Sequence, residues 1–274
     1  MKNIFGDGDA FFSLFEAFNN IEKGVNQFKG NLGELSLNSY IKNWSIPGYH
    51  KCVSNILVPY GNEKTQIDTV FISKKAIICI EFKNLGGWIF GSENQKQWTQ
   101  SFSKSEKYYF YNPVLQNKGH CKALANVLRT GPENIVPLIV FGERCELKKI
   151  NCPNTKVISL HQLANYLVLY EREHEDRFTD KNVDAVHALL EMYKPTQKQM
   201  EEHIARVKKY SEGTECPKCG CSLKLNKVIK ENRKRTYYFG CTNPICAFRR
   251  DALYAEVIKY GDDEDRAWAY SQIV

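Results

Sequence analysis

The stretch from Ile67 to Lys83 reads IDTVFISKKAIICIEFK: two apolar runs flank a basic turn, and Asp68, Glu81 and Lys83 sit at the outer ends. Few folded arrangements suit such a pattern. Both runs are short and rich in β-branched residues, so they predict a β-hairpin turning between Ser73 and Ala76. Closure at that turn sets Asp68 against Glu81 and Gln66 against Lys83. Side chains alternate along a strand, so these four residues share one face with Val70, Ile72, Ile77 and Cys79. Ile67, Phe71, Ile78, Ile80 and Phe82 take the other face, and a slip of one residue would scatter the charged cluster.

Two carboxylates across an antiparallel ladder repel, and on an apolar sheet their ionised forms also lose solvation. A divalent cation would offset both costs, because carboxylate oxygens completed by water and phosphate suit Mg2+. Lys83, on the same face as Glu81, could then orient an attacking water or stabilise charge developing on a phosphate. The alternative is an exposed strand end carrying three solvated charges.

The surrounding chain supplies a scaffold. Ala10 to Phe18 (AFFSLFEAF) contains Glu16 and is far shorter than the roughly 20 residues of a membrane span. Asp7 and Asp9 precede it where a secretory signal would be basic, so it predicts an amphipathic packing helix in a cytoplasmic protein with no membrane association. Leu37, Ile41 and Trp44 have helical spacing, with Glu34 on the same stripe, and Pro47-Gly48 closes that helix. An acid on an apolar stripe is costly unless it is paired or bound to metal. Val53 to Tyr60, the hairpin, and Trp88 to Phe90 read as successive antiparallel strands. A helix should start near Asn112-Pro113 and run to about Arg129, followed by a fully covered strand at Ile135 to Phe141. Val157 to Leu160 predicts a further strand and Gln162 to Tyr170 a further helix. Gln116 and His120, four residues apart, share a helix face with Leu124 and Val127. Taken alone, His120 reads as a satisfied core histidine. Trp88, Trp98 and the run Tyr108 to Tyr111 could stack on bases, although such residues more often fill a core.

Several ordered elements together resemble the nuclease-related domain (NERD) of the PD-(D/E)XK nuclease superfamily. They are Gly33-Glu34, Thr65-Gln66-Ile67-Asp68, Ile80-Glu81-Phe82-Lys83-Asn84 with Gly86-Gly87, Trp98, and Asn112-Pro113-x-x-Gln116-x-x-x-His120-x-x-x-Leu124. The resemblance covers about residues 30 to 160. It implies an α/β fold with a mixed sheet and a restriction-endonuclease-like core. It also implies that Asp68 and Glu81 bind Mg2+ or Mn2+, that Lys83 assists the water, and that Glu34 completes the metal site. Gln66, Gln116 and His120 join the candidate catalytic set, the last two as phosphate contacts or ligand-orienting groups. The leading Pro of the superfamily name is absent, Ile67 standing before Asp68.

The C-terminal part carries a second signal. Cys216-x2-Cys219 and Cys241-x4-Cys246 form two pairs, each able to present two thiolates to one ion. Four thiolates around tetrahedral Zn2+ would stabilise a segment too small for its own core. Cys221 is a spare thiol, whereas Cys52, Cys79, Cys121, Cys145 and Cys152 show no pairing pattern and read as buried or inert. Of the formal net charge of +7, residues 216 to 250 hold +8: nine Lys and Arg against Glu231 alone. That concentration suggests a polyanionic partner. The Cys-Pro-x-Cys-Gly start and Phe-Gly-Cys-Thr-Asn-Pro-x-Cys end resemble the C4 zinc ribbons of type IA topoisomerases, which implies binding of single-stranded DNA. The expected contacts are Lys224, Lys227, Lys230, Arg233, Lys234, Arg235 and Arg249 to phosphates and Tyr237, Tyr238 and Phe248 to bases.

The sequence thus predicts an N-terminal helix extension at 1–29, a nuclease-like core at 30–175, a helical arm at 176–213, a zinc ribbon at 214–260 and a solvated acidic tail at 261–274. The expected function is Mg2+-dependent hydrolysis of DNA, single-stranded or branched, in DNA processing, repair or defence against foreign DNA. A catalytically silent DNA-binding adaptor and an RNA-processing nuclease are the alternatives. Oligomeric state is left open, a dimer included.

Overall fold

The computed structural model describes residues 44–61, 63–103, 107–212, 216, 219–229, 235–246, 248–252 and 254–271, together with Leu37 and Ile41; the side chains of 206–212 and 255 are excepted. The predicted helix at 10–18 and most of the one containing Glu34 lie outside this set. The described chain divides into two units, one ending at His203 and one beginning at Ile204.

In chain order the first unit contains β1 (His50–Tyr60), β2 (Glu63–Ser73), β3 (Ile77–Lys83), β4 (Gly87–Ser92), β5 (Gln97–Ser101), β6 (Lys107–Tyr111), α1 (Pro113–Leu128), β7 (Ile135–Phe141), β8 (Cys145–Asn151), β9 (Lys156–Ser159), α2 (Leu160–Glu173) and α3 (Asp180–Glu191). A further helix, α4 (Gln197–Glu212), crosses the division between the units.

The first sheet has the order β1-β2-β3-β7-β9. Its hairpin pairs Thr69 with Ile80, Val70 with Cys79, Phe71 with Ile78 and Ile72 with Ile77, the register the side-chain pattern requires. Ser73 Oγ accepts from the N–H groups of Lys75 and Ala76 and so shapes the turn. One sheet face packs Val70, Ile72, Ile77 and Cys79 against Cys121 and Leu124 of α1 and Val183 and Leu190 of α3. The other packs Phe71, Ile78, Ile80, Leu138 and Val140 against Leu37, Ile41 and Leu163 and Leu167 of α2. β7 runs parallel to both β3 and β9, and burial on both faces explains why its sequence is a continuous apolar run.

Three features depart from the sequence expectation. β4 leaves the first sheet and joins a second one of order β6-β5-β4-β8, where it lies antiparallel to β5 and parallel to β8. Gly87 makes the exit possible: its φ is +76, and a Cβ there would lie 2.5 Å from the Ser101 carbonyl oxygen. Residues 180–191, expected in an arm, form a helix that belongs to the core, with Val183 and Leu190 fully buried. Trp44 shares the spacing of Leu37 and Ile41 but is 48% exposed.

Asn112 fixes the start of α1. Its Oδ1 accepts from Val114 N at 2.9 Å, and its Nδ2 donates to the carbonyls of Ser92 (3.1 Å), Glu93 (2.9 Å) and Gln95 (2.6 Å). One buried side chain therefore caps the helix and ties it to the β4–β5 turn, aiming the next turns of α1 at the end of β3.

The second unit contains β10 (Leu223–Ile229), β11 (Arg235–Cys241), β12 (Arg249–Asp251), α5 (Tyr254–Tyr260) and α6 (Asp263–Ser271). The three strands form one antiparallel sheet. The acidic run expected in a solvated tail is instead the first turn of α6, where carboxylates suit the positive end of the helix dipole. Tyr237, Val257 and Ala269 form the centre of a small core with Leu225, Tyr254 and Trp268.

Candidate active site and cysteine cluster

Strand parity puts Glu81 and Lys83 on the face covered by α1, and helical spacing brings Gln116 and His120 of α1 over them. The four side chains form one buried chain of contacts. Lys83 Nζ lies 2.8 Å from Glu81 Oε1 and donates to Gln116 Oε1 at 2.8 Å. His120 Nδ1 lies 3.1 Å from Glu81 Oε2, but the pair is not aligned for a hydrogen bond, and neither atom has another hydrogen-bond partner among the described residues. Glu81 is 2% exposed, Gln116 3% and His120 2%. Burial pushes the Glu81 carboxyl up, but the Lys83 charge and the His120 contact together outweigh it and hold it at about 2.

Asp68 lies across from Glu81 by extension of the register, yet the ladder stops at the Thr69 and Ile80 pair. Beyond it, Phe82 N donates to Asp68 Oδ2 at 2.8 Å. The carboxylate thus takes the amide that a continued ladder would have engaged. On the other side, the β1–β2 pairs on either side of Asp68 leave Asn55 opposite it. Asn55 has φ +56, a left-handed conformation that is rare inside a strand and that Asn tolerates best among residues with a Cβ. Its Oδ1 accepts from Gln66 Nε2 at 2.9 Å. Sequence reasoning missed Asn55; the available signal was an Asn in the middle of a β-forming run. Glu34 lies outside the described residues.

Asp68 and Glu81 offer the hard oxygen ligands that Mg2+ or Mn2+ takes, and the buried Glu81 Oε2 has unused acceptor capacity. Among the described residues they are not part of a three-ligand cluster of His, Cys, Asp or Glu; that description fits Cys216, Cys219, Cys241 and Cys246. A core cation would therefore draw its remaining ligands from other groups or from solvent and substrate.

The ligand atoms of the four cysteines all lie within 4.8 Å of one another. Cys216 and Cys246 Sγ are 3.6 Å apart, and Cys219 and Cys241 Sγ are 3.4 Å apart. Zinc–sulfur bonds of about 2.3 Å in a tetrahedron require sulfurs about 3.8 Å apart. The cluster therefore has the size to hold a metal ion such as zinc. Gly220, at φ +75, turns the first pair so that its N–H donates to the Cys216 carbonyl at 2.7 Å. Asn243 N donates to Cys241 Sγ at 3.4 Å.

The ribbon sheet sorts the expected nucleic-acid contacts. Lys227 pairs with Asp265 at 2.6 Å, Arg235 with Glu264 at 2.6 Å, and Tyr237 OH donates to Asp265 Oδ1 at 2.7 Å. Tyr237 and Phe248 are 4% and 6% exposed, so neither ring is offered to a base. Arg250 forms a two-point pair with Glu256. α5 and α6 thus occupy that sheet face. By alternation, Lys224 and Tyr238 lie on the opposite face with Arg249, whose guanidinium is 6.0 Å from the Tyr238 ring centroid. Lys230, Arg233 and Lys234 fall outside the described residues.

Comparison with known proteins gives this geometry a context. The model of the nuclease-related domain family matches residues 29–142. An uncharacterized protein of Bacillus anthracis is 33% identical over 136 residues, covering 48% of this chain and 61% of the relative. The chain therefore spans less than two thirds of that relative's length. The crystal structure of a protein of unknown function is 13% identical with a TM-score of 0.27, covering 66% of this chain and 97% of that one. Among the described residues no helix is long and apolar enough to cross a membrane.

Proposed function

We propose, from the match of residues 29–142 to the nuclease-related domain, that the protein is a metal-dependent nuclease hydrolysing DNA phosphodiester bonds, with a C-terminal zinc ribbon that helps to hold the DNA. The observation that carries this reading is the state of Glu81: buried, its pKa held down at about 2, clamped by Lys83, and left with an oxygen that no hydrogen bond from the described residues uses. An acid is rarely buried in this way unless a partner uses its charge.

Asp68 and Glu81 would hold Mg2+ or Mn2+. Such an ion supplies a water of lowered pKa and offsets phosphate charge when bound. The protein's own groups do the rest. Glu81 stays ionised throughout the neutral range, so its acceptor oxygen is always available. Gln116 and Glu81 together fix the Lys83 ammonium at the end of β3, where it orients an incoming water or receives the charge developing on a phosphate. His120 backs Glu81 from α1, and the Phe82 N–H fixes the carboxylate of Asp68. In the ribbon, Lys224, Tyr238 and Arg249 present a basic and aromatic face to DNA.

A second reading is a silent scaffold that binds DNA, favoured by the fact that Lys83 already has two partners and needs no ligand to be satisfied. Incubation with single-stranded DNA, duplex DNA and RNA in Mg2+, Mn2+ or EDTA separates the possibilities. Metal-dependent cleavage of DNA supports the proposal, cleavage of RNA alone replaces it with RNA processing, and binding without cleavage of any substrate identifies the scaffold.

A further inference from the structure

The second sheet has a face that the catalytic cluster leaves unused. Its core side is set by Ile89, Trp98 and Phe110, with Trp98 stacked on Phe141 at 6.0 Å between ring centroids. Alternation then turns Trp88 and Phe90 of β4, Thr99 of β5 and Tyr109 of β6 to the opposite side. Phe90 pairs with Thr99 and Thr99 with Tyr109, so two rings lie in one cross-strand row. Trp88, in the next row, is 39% exposed.

Lysines fringe these rings. Lys149 stands opposite Phe90 across the β4–β8 pair, where the register shifts. The shift brings Lys148 Nζ to 5.8 Å from the Trp88 ring centroid. Lys107 pairs with Ser101, which pairs with Trp88. Lys107, Lys148 and Lys149 are all exposed, and among the described residues of this face the acid is Glu146, which Lys148 contacts at 2.5 Å. Protein interfaces are depleted in lysine at their centres, so rings among lysines fit a protein partner poorly. They fit a chain that alternates flat apolar rings with anionic linkers.

The topology sets where this face begins. β4 starts four residues after Lys83 and β8 four residues after Phe141, the residue paired with Lys83. Gly142 N donates to the Lys83 carbonyl at 2.9 Å, and Gly87 N donates to the Arg144 carbonyl at 3.1 Å. Both strands of the face therefore spring from the sheet end that carries Glu81 and Lys83.

We propose that the outer face of the β6-β5-β4-β8 sheet is a stacking platform for single-stranded nucleic acid, with bases on Trp88, Phe90 and Tyr109 and phosphates on Lys107, Lys148 and Lys149. Its role in feeding a strand toward Glu81 rests on the nuclease reading; its binding does not. The test measures fluorescence anisotropy of a labelled oligothymidylate with the full chain in EDTA, on a Lys224→Ala, Tyr238→Ala, Arg249→Ala background that lowers the ribbon's contribution. Trp88→Ala should weaken binding about tenfold, within the range for loss of one base stack, and Trp88→Phe should restore it to within about threefold. Lys148→Ala with Lys149→Ala should lower the slope of log K against log salt by about 1.4. An abasic strand of equal length should bind Trp88→Ala and its parent equally. Binding of oligothymidylate by Trp88→Ala within about twofold of its parent overturns the platform, as does an equal loss on the abasic strand. Because no cleavage occurs in EDTA, these outcomes are independent of whether Glu81 supports catalysis.

Discussion

Replacing Glu81 by Gln keeps the shape of the side chain and removes the charge that Lys83 and His120 face. The carboxyl is held at about 2 against an ordinary value of 4.5. A drop of about 2.5 pH units corresponds to about 3 kcal/mol favouring the ionised form in the folded state. Because the folded value lies below the unfolded one, this stability is present above about pH 4.5 and is lost as pH falls through about 2. Glu81→Gln should therefore destabilise the core by about 3 kcal/mol at pH 7 and by only about 1.4 kcal/mol at pH 3. Urea denaturation followed by circular dichroism reads this directly. For a slope of about 2 kcal/mol per molar, the midpoint should fall by about 1.5 M at pH 7 and by about half of that at pH 3. A variant as stable as the parent at pH 7, or a gap unchanged at pH 3, would refute the electrostatic reasoning.

Asn112→Ala removes a helix cap and the amide that donates to the Ser92, Glu93 and Gln95 carbonyls, of which the Glu93 bond is buried, and should cost the core about 2 kcal/mol in the same denaturation assay. Cys216→Ser, or chelation, should abolish zinc retention and erase hydrogen-exchange protection of β10 to β12 while leaving β1 to β3 protected. Asp265→Ala leaves Lys227 and Tyr237 without their shared acceptor and should lower protection of β10 and β11 about tenfold at pH 7. Burial pushes Asp265 up, but its hydrogen bonds from Lys227 and Tyr237 hold it below the usual carboxylate range. Its contribution is thus present at neutral pH and lost on acidification, so the difference between the two proteins should narrow as pH falls.

The hairpin register was legible because strand parity and a four-residue turn leave few pairings open, and an apolar face penalises any slip. The cap at Asn112-Pro113 and the cysteine spacing were legible for similar reasons: each is a local rule with a local signal. The second sheet was not, because β5, β6 and β8 are short and half-exposed, and nothing local to Trp88-Ile89-Phe90 says which strand it will pair with. The ribbon residues show the same limit. Lys227 and Lys224 look alike in sequence, but β10 alternation sends one to Asp265 and the other to the open face. The acids that neutralise the basic run lie about 30 residues further on, so charge counted within one window overstated what the module offers a polyanion. Asn55 was hidden for a different reason: its left-handed backbone depends on the strand opposite it.

In the proposed function Glu81 anchors a metal-dependent cleavage site. The most direct measurement is DNA cleavage by the full chain and by Glu81→Ala side by side in Mg2+, at equal zinc content and equal hydrogen-exchange protection of β1 to β3. The parent should cleave, and the variant should cleave at least about a hundredfold less, on the order of what loss of a key electrostatic group costs. Equal cleavage by both proteins, or no cleavage by the parent, would contradict the proposed function.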